Sequence, residues 1–353
     1  MSVLFAILLF SVLIFVHELG HFVAAKLSGV QVNEFSMFMG PILWSKQVGE
    51  TLYSIRLIPI GGFCAMEGED GGSDNPHSFD KAAWWKRLII LVAGAAMNFI
   101  IGVALMVIVY LPAQRAVVPV IESFMDYATV DGENGLQTGD RILEVDGERI
   151  YVQSDFSMIL SMNPGEAHDL VVSRGGKNVV LNDFLMEKHE VTDETGAVRM
   201  MYGMNFTIQD MTIRDRVVYA WYQSLDTVRL VRLSLQMLLS GQAGLTDMSG
   251  PVGIVQMMSE TAAASPTWVD ALLNMLYFGA FIAINLAVMN LLPIPALDGG
   301  RVVGVLITTA VEEITRKKID PKYEGYLHGA GMMLLLALIA VIMFKDIIFL
   351  FKR

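Results

Sequence analysis

A polytopic α-helical membrane protein carrying an inserted β-rich domain is the fold class this sequence predicts, on three observations. Of its 353 residues, 54% are hydrophobic, too many for an ordinary water-soluble chain. Four apolar runs, Val3–Ala25, Leu88–Leu111, Trp268–Leu292 and Tyr326–Phe344, reach the ~20 residues that a helix needs to cross a bilayer. The formal charge of −11 is concentrated, because residues 115–215 hold 18 acids against 8 bases, which marks a separate polar domain. So acidic a domain excludes a nucleic-acid partner, which demands a basic footprint. The single cysteine, Cys64, rules out an internal disulfide.

The first run has no Lys or Arg before Lys26. It lacks the basic start of a cleaved signal peptide and reads as a retained span. Within it, residues 17–21 read His-Glu-Leu-Gly-His. Residues i and i+4 share one helix face, so His17 and His21 project together, with Glu18 beside them. Two imidazoles and a carboxylate so spaced are two zinc ligands and a general base. The pattern arises by chance in soluble helices, but burying three such groups in lipid is costly, which favours function here.

Between the first two runs, Thr51–Ile60 reads as strand, with turn signals at Gly61-Gly62 and Gly71-Gly72. Lys26, Lys46, Arg56, Lys81, Lys86 and Arg87 lie in this stretch, and Arg301, Arg316, Lys317, Lys318 and Lys322 lie between the third and fourth runs. The excess of positive charge places both short loops in the cytoplasm, and both termini with the long 112–267 segment outside.

In that segment, Val117–Ile121, Leu170–Ser173 and Val179–Leu181 read as strands and Ser154–Met162 as a helix. Arg174-Gly-Gly-Lys177 is a hairpin signal. Residues 191–213 show no pattern. Arg214–Leu239 is long and partly apolar, yet Asp226, Arg229 and Arg232, with Trp221 and Tyr222, suit an interfacial helix. The predicted organisation is therefore a first membrane half over 1–111, an external domain over 112–213, an interfacial helix and linker over 214–267, and a second membrane half over 268–353.

The third run closes on Asn290-Leu-Leu-Pro-Ile-Pro-Ala-Leu-Asp298-Gly-Gly. Pro293 and Pro295 end the helix, and Gly299-Gly300 frees the backbone after the acid. His17 lies ~21 Å along its helix from Val3, past the midplane toward the cytoplasm. Spans one and three both run inward, so Asp298 reaches the same side. It is either a turn residue paired with Arg301 or the third ligand of a site with His17 and His21, whose fourth position is open to water. His77, His168 and His189 lie in polar stretches read as loops and are expected to be solvated, and His328 to lie at the interface.

Together, His17 through His21 in the first span, Asn290 through Gly300, the four spans and the insert resemble the site-2 protease family, and within it the bacterial regulator-of-sigma-E-protease type. The string Gly135-Leu-Gln-Thr-Gly-Asp-Arg-Ile-Leu-Glu-Val-Asp-Gly is similar to bacterial PDZ domains, so the insert is expected to be one PDZ-like domain. The resemblance implies one Zn2+ per chain and a membrane-embedded metalloendopeptidase of the bacterial cytoplasmic membrane. Its expected substrates are single-span proteins or peptides, such as anti-sigma factors or signal-peptide remnants, already cut once outside. It also implies a re-entrant β-element in which Ile60, Gly61, Gly62 and Phe63 hold an extended substrate, by strand addition; an ordinary cytoplasmic hairpin is the alternative. Asn290 resembles a residue that bonds the substrate backbone or oxyanion, with an interhelical hydrogen bond as the alternative. Gly94 and Asn98 fall in a string similar to a second-span motif, where Ala95 stands in place of the usual Pro, and helix packing explains them equally.

Two further function classes remain. A non-catalytic scaffold would use the PDZ-like domain, and a metal transporter would use the buried His/Asp group but leave Glu18 unexplained. Lipid is an expected partner in every case. The sequence leaves the oligomeric state open.

Overall fold

A computed structural model describes residues 2–69, 73–126, 135–162, 165–186, 188–192, 198–242, 244, 250–316 and 322–351. The chain forms two compact units, Met1–Val109 with Thr227–Arg353, and Tyr110–Asp226.

The first unit opens with α1 (Ser2–Ser28), whose apolar run carries it well past bilayer length. Two long strands follow, β1 (Val32–Val48) and β2 (Thr51–Met66), and then α2 (Trp84–Tyr110). The two strands fold into more than a hairpin. Residues 32–37 face 62–66 on one side and 52–55 on the other, while 42–48 face 51–56. The strand before Gly61 is therefore paired on both sides. Among the described residues, two segments have a single neighbour, 62–66 and 42–48. The chain doubles back here because Phe38, Gly40 and Gly61 take φ values of 72°, 85° and 82°, a region that glycine enters without penalty.

The second unit, Tyr110–Asp226, is built on an antiparallel sheet. Its strands are β3 (Arg115–Phe124), β4 (Arg141–Val145), the short β5 (Glu148–Arg149), β6 (Ala167–Arg174) and β7 (Lys177–Leu185). Helix α3 (Gln153–Met162) precedes β6. The expected hairpin joins β6 to β7, with Gly175 and Gly176 at φ 58° and 81°, the double left-handed turn that suits twisted strands. Residues 191–213, patternless in sequence, supply parts of a small β8 (His189–Thr192)–β9 (Val198–Met201) hairpin and β10 (Met204–Asp210). The last completes the sheet in the order β10-β3-β4-β6-β7. Phe156, Leu160, Ile142, Leu170 and Val172 fill the core. Asp140 is buried, accepts from the Gln137 backbone N–H at 2.8 Å and pairs with Arg174 at 2.7 Å. It is a loop clamp, and losing Arg174 would strand its charge.

His168 corrects an expectation. It is 3% exposed, and its Nδ1 lies 2.7 Å from Asp146 Oδ2. Alternation along β6 turns residues 168, 170 and 172 inward together; local polarity hid a period of two. His77 is exposed, as expected. The side chain of His328 lies outside the described residues.

Helix α4 (Ile213–Ser240) covers the stretch read as interfacial. The chain continues into α5 (Pro251–Ala264), α6 (Trp268–Asn290), α7 (Asp298–Thr315) and α8 (Lys322–Phe351). Among the described residues, three helical stretches are long and apolar enough to cross a membrane: Phe5–Ser28, Trp84–Tyr110 and Trp268–Asn290. The fourth expected run lies in α8, whose described apolar stretch, Gly329–Lys345, is shorter. Small residues let the long helices close on one another. A Cβ on Gly20 would meet the Ala93 carbonyl oxygen at 2.4 Å, and one on Gly102 would meet Ile284 Cγ1 at 2.5 Å. Leu13, Met258, Ile282 and Ala283 join α1, α5 and α6 in one buried cluster.

Candidate metal centre

Two elements converge on one point in the first unit. α1 presents His17 and His21 on one face; α7 presents Asp298. The edges of the donor triangle are 3.1 Å from His17 Nε2 to His21 Nε2, 3.2 Å from His17 Nε2 to Asp298 Oδ2 and 3.4 Å from His21 Nε2 to Asp298 Oδ2. Donors about 2.0–2.1 Å from a tetrahedral zinc stand roughly 3.3–3.4 Å from one another, so the triangle has the size of one face of that tetrahedron.

The hydrogen-bonding around the triangle also fits a cation. His21 Nδ1 lies 2.8 Å from the Ile90 carbonyl oxygen. The ring nitrogen there must donate, which leaves Nε2 as a bare lone pair aimed at the centre. Asp298 Oδ2 is buried with no hydrogen-bond donor of its own. Two lone pairs and a carboxylate oxygen facing each other repel unless a positive charge sits among them. Within the described residues this is the one His/Cys/Asp/Glu group of metal-binding geometry. Cys64 is not part of it.

The local folding of the Asp298 strand of the site differs from expectation. α6 ends at Asn290, Ala296 takes φ 92° and Asp298 opens a new helix. A carboxylate there sits at the positive end of the α7 dipole. Gly299 and Gly300 are helical, so freedom of the backbone is not their role. Close approach is: a Cβ on Gly299 would stand 2.3 Å from the Leu291 and Leu292 carbonyl oxygens, and one on Gly300 2.3 Å from that of Ile294. Arg301 pairs with Glu69 rather than with Asp298.

Residues read as helix packing prove to line the site. A Cβ on Gly94 of α2 would stand 2.3 Å from His21 Nε2 and 2.8 Å from His17 Cε1. Asn98, one turn on, is 1% exposed and puts its Nδ2 3.4 Å from His17 Nδ1, with its Oδ1 buried and unpartnered. Turning that amide over lets the oxygen accept from Nδ1–H, which would fix His17 in the tautomer that frees Nε2. Asn290 Nδ2 lies 3.5 Å from both ring nitrogens of His17.

Gly62 of β2 abuts Glu18. A Cβ on Gly62 would stand 2.9 Å from the Ser36 carbonyl oxygen and 3.7 Å from Glu18 Cγ. Phe63 packs on the Arg56 guanidinium at 5.1 Å. The backbone of Ile60 runs in β2; its side chain lies outside the described residues. Ser11, which the sequence reading passed over, reaches the Pro59 carbonyl oxygen at 3.0 Å and its own Ile7 carbonyl oxygen at 2.7 Å. Ser11 and Glu18, about 10.5 Å apart along α1, thus both meet β2, the first at Pro59 and the second at Gly62. Removing the hydroxyl, as in Ser11→Ala, is expected to lower peptide cleavage about fivefold, the worth of one hydrogen bond. Zinc content should stay constant and Ser11→Thr should restore the rate, both measured on purified protein.

A model of peptidase family M50 matches residues 5–338. A Clostridium perfringens protein named as a zinc metalloprotease is 35% identical over 99% of this chain and 99% of its own. A Clostridium acetobutylicum protein of the same designation is 35% identical over 99% of this chain and 98% of its own. The regulator of sigma-W protease RasP of Bacillus subtilis is 27% identical over 98% of both chains. The chain belongs to peptidase family M50, the site-2 protease family, and is a zinc metalloprotease.

Proposed function

We propose that this family M50 chain hydrolyses peptide bonds inside membrane-spanning segments, with His17, His21 and Asp298 as zinc ligands and Glu18 as general base. One observation carries the reading. Two donors of a triangle of zinc dimensions, His17 and His21, lie on the same apolar helix as Glu18, the third, Asp298, comes from α7, and Glu18 itself lies beside strand backbone. Neither a scaffold nor a transporter requires that conjunction.

His17, His21 and Asp298 would hold the zinc, which when bound would supply Lewis-acid chemistry to the scissile carbonyl and make the attacking water more acidic. The Glu18 carboxylate takes the proton from that water and passes it to the leaving nitrogen. Helical amides are hydrogen-bonded and shielded, so the substrate must unwind before it is cut. Segment 62–66, paired on one side only, offers free backbone groups to the unwound stretch, and Gly62 brings that stretch to Glu18. The Asn290 amide, close to His17, donates to the substrate carbonyl as charge builds on it. Asn98 holds His17 in place.

In this reading α8 supplies a fourth span, the short loops are cytoplasmic, and the second unit is an external PDZ-like domain. Its antiparallel sheet with a buried helix, and its Gly139-Asp140 clamp, support that likeness. Substrates are single-span remnants left by an earlier external cut. The Bacillus subtilis relative is called a regulator of sigma-W protease, and an anti-sigma factor is one such remnant in this reading.

Purified protein should carry one zinc per chain and cut a single-span reporter. Asp298→Asn, which swaps a charged donor for a neutral one, is expected to weaken zinc binding about 100-fold and abolish cleavage. A variant that binds no zinc and still cuts at the parent rate would refute the reading.

A further inference from the structure

We propose that Glu69 and Arg301 form a latch that positions the exposed edge of β2 relative to the helix carrying Asp298. The inference rests on the reading of 62–66 as the substrate-receiving edge. β2 ends at Met66, which faces Val32 at the last rung of its ladder. Glu69 turns back onto that end: its Oε2 accepts from the Met66 backbone N–H at 3.3 Å. Its other oxygen, Oε1, takes the Nη1 of Arg301. Arg301 stands in the first turn of α7, three residues after Asp298. One carboxylate thus joins the end of the edge strand to the helix that presents a zinc ligand, across 232 residues of sequence.

Burial gives the pair its strength. The Glu69 and Arg301 side chains are 16% and 22% exposed, so their attraction is screened far less than that of a surface pair. Losing Arg301 leaves the part-buried Glu69 carboxylate poorly solvated. α7 cannot yield in compensation, because Gly299 and Gly300 seat its first turn directly on the carbonyl oxygens of Leu291, Leu292 and Ile294. The strand must yield. Freed at Met66, segment 62–66 tilts on its one remaining neighbour, 32–37, and Gly62 moves with respect to Glu18. The ligands of the metal stay where they are. The latch is therefore a positioning device for substrate, and its loss shows in docking rather than in the chemical step.

Two readouts test it on the full chain in detergent. Glu69→Ala and Arg301→Met are each expected to raise KM for a single-span reporter peptide about tenfold, with kcat within about twofold, because a tenfold effect is the ~1.4 kcal/mol that a coupled pair supplies. Zinc should remain at one per chain. The double variant should be no worse than either single, and Arg301→Lys, which keeps the charge, should recover part of the loss. Backbone amides of 64–66 should exchange with solvent deuterium about tenfold faster in Arg301→Met, while those of α2 are unchanged. Unchanged exchange at 64–66, or single effects that multiply in the double variant, would overturn the latch. A parent protein that leaves the reporter uncut counts against the proposed function alone, since the exchange measurement needs no cleavage.

Discussion

Exchanging Glu18 for Gln is expected to reduce peptide hydrolysis by about 10³-fold, within the 10²–10⁴-fold range that a positioned general base contributes. Zinc should remain bound at one per chain. The expectation follows from the division of labour along two turns of α1. His17 and His21 face Asp298 with edges of 3.1–3.4 Å, and Glu18 is not part of that triangle. Gln has the same shape and keeps the packing against Gly62, so the helix has no reason to move. What disappears is the one carboxylate beside the centre able to take a proton and return it. Paired measurements, zinc by elemental analysis and cleavage of a single-span reporter, separate the possible roles. Loss of zinc with loss of cleavage would make Glu18 structural. Retained zinc with cleavage at the parent rate would leave the centre without its base and the mechanism without support.

The parts of this site that were legible in the sequence are those fixed by local periodicity. The i, i+4 spacing of His17 and His21 is a property of any helix, and the apolar run around them says that a helix forms there. Asp298 required a topological argument, since nothing local brings residue 298 to residue 17, and the direction of the spans supplied it. Gly94 and Asn98 stayed hidden for a different reason. A glycine and an asparagine in an apolar helix announce close packing, but which atoms they face depends on how α2 is rotated against α1, and that angle is set by Gly20 against Ala93. Which segments form the sheet edges was not legible, because β1 and β2 each serve two rows of one sheet, an arrangement that depends on left-handed backbone at Phe38, Gly40 and Gly61. Phe38 carries no turn signal. His168 shows the same limit on a small scale: its neighbours are polar, and only the strand's alternation turns it inward. Sequence thus reveals chemistry carried on one element, and loses it where two elements must be oriented against each other.

Gly94→Ala turns that relation into a second large effect. The added carbon would lie 2.3 Å from His21 Nε2, 2.7 Å from His21 Cε1 and 2.8 Å from His17 Cε1, all far inside contact distance. His21 cannot swing away cheaply, because its Nδ1 is committed to the Ile90 carbonyl at 2.8 Å and the ring is buried. α2 cannot back off either, since Gly20 rests against Ala93 one residue away. The imidazoles must leave the positions that give the triangle its size. Zinc affinity is expected to fall about 100-fold, the upper range for disturbing the support of a ligand, and cleavage to vanish with it. Helix propensity pulls the other way: Ala is better than Gly by about 1 kcal/mol in a helix interior, so the helix itself is not weakened by the exchange. Loss of metal without loss of helix content, read by zinc analysis and circular dichroism, is the expected signature. Gly329→Ala is the matched control, since nothing lies within 4 Å of a Cβ there, and it should keep both zinc and activity. If Gly94→Ala also keeps both, α1 and α2 do not meet as described, and the shape of the metal centre must come from elsewhere.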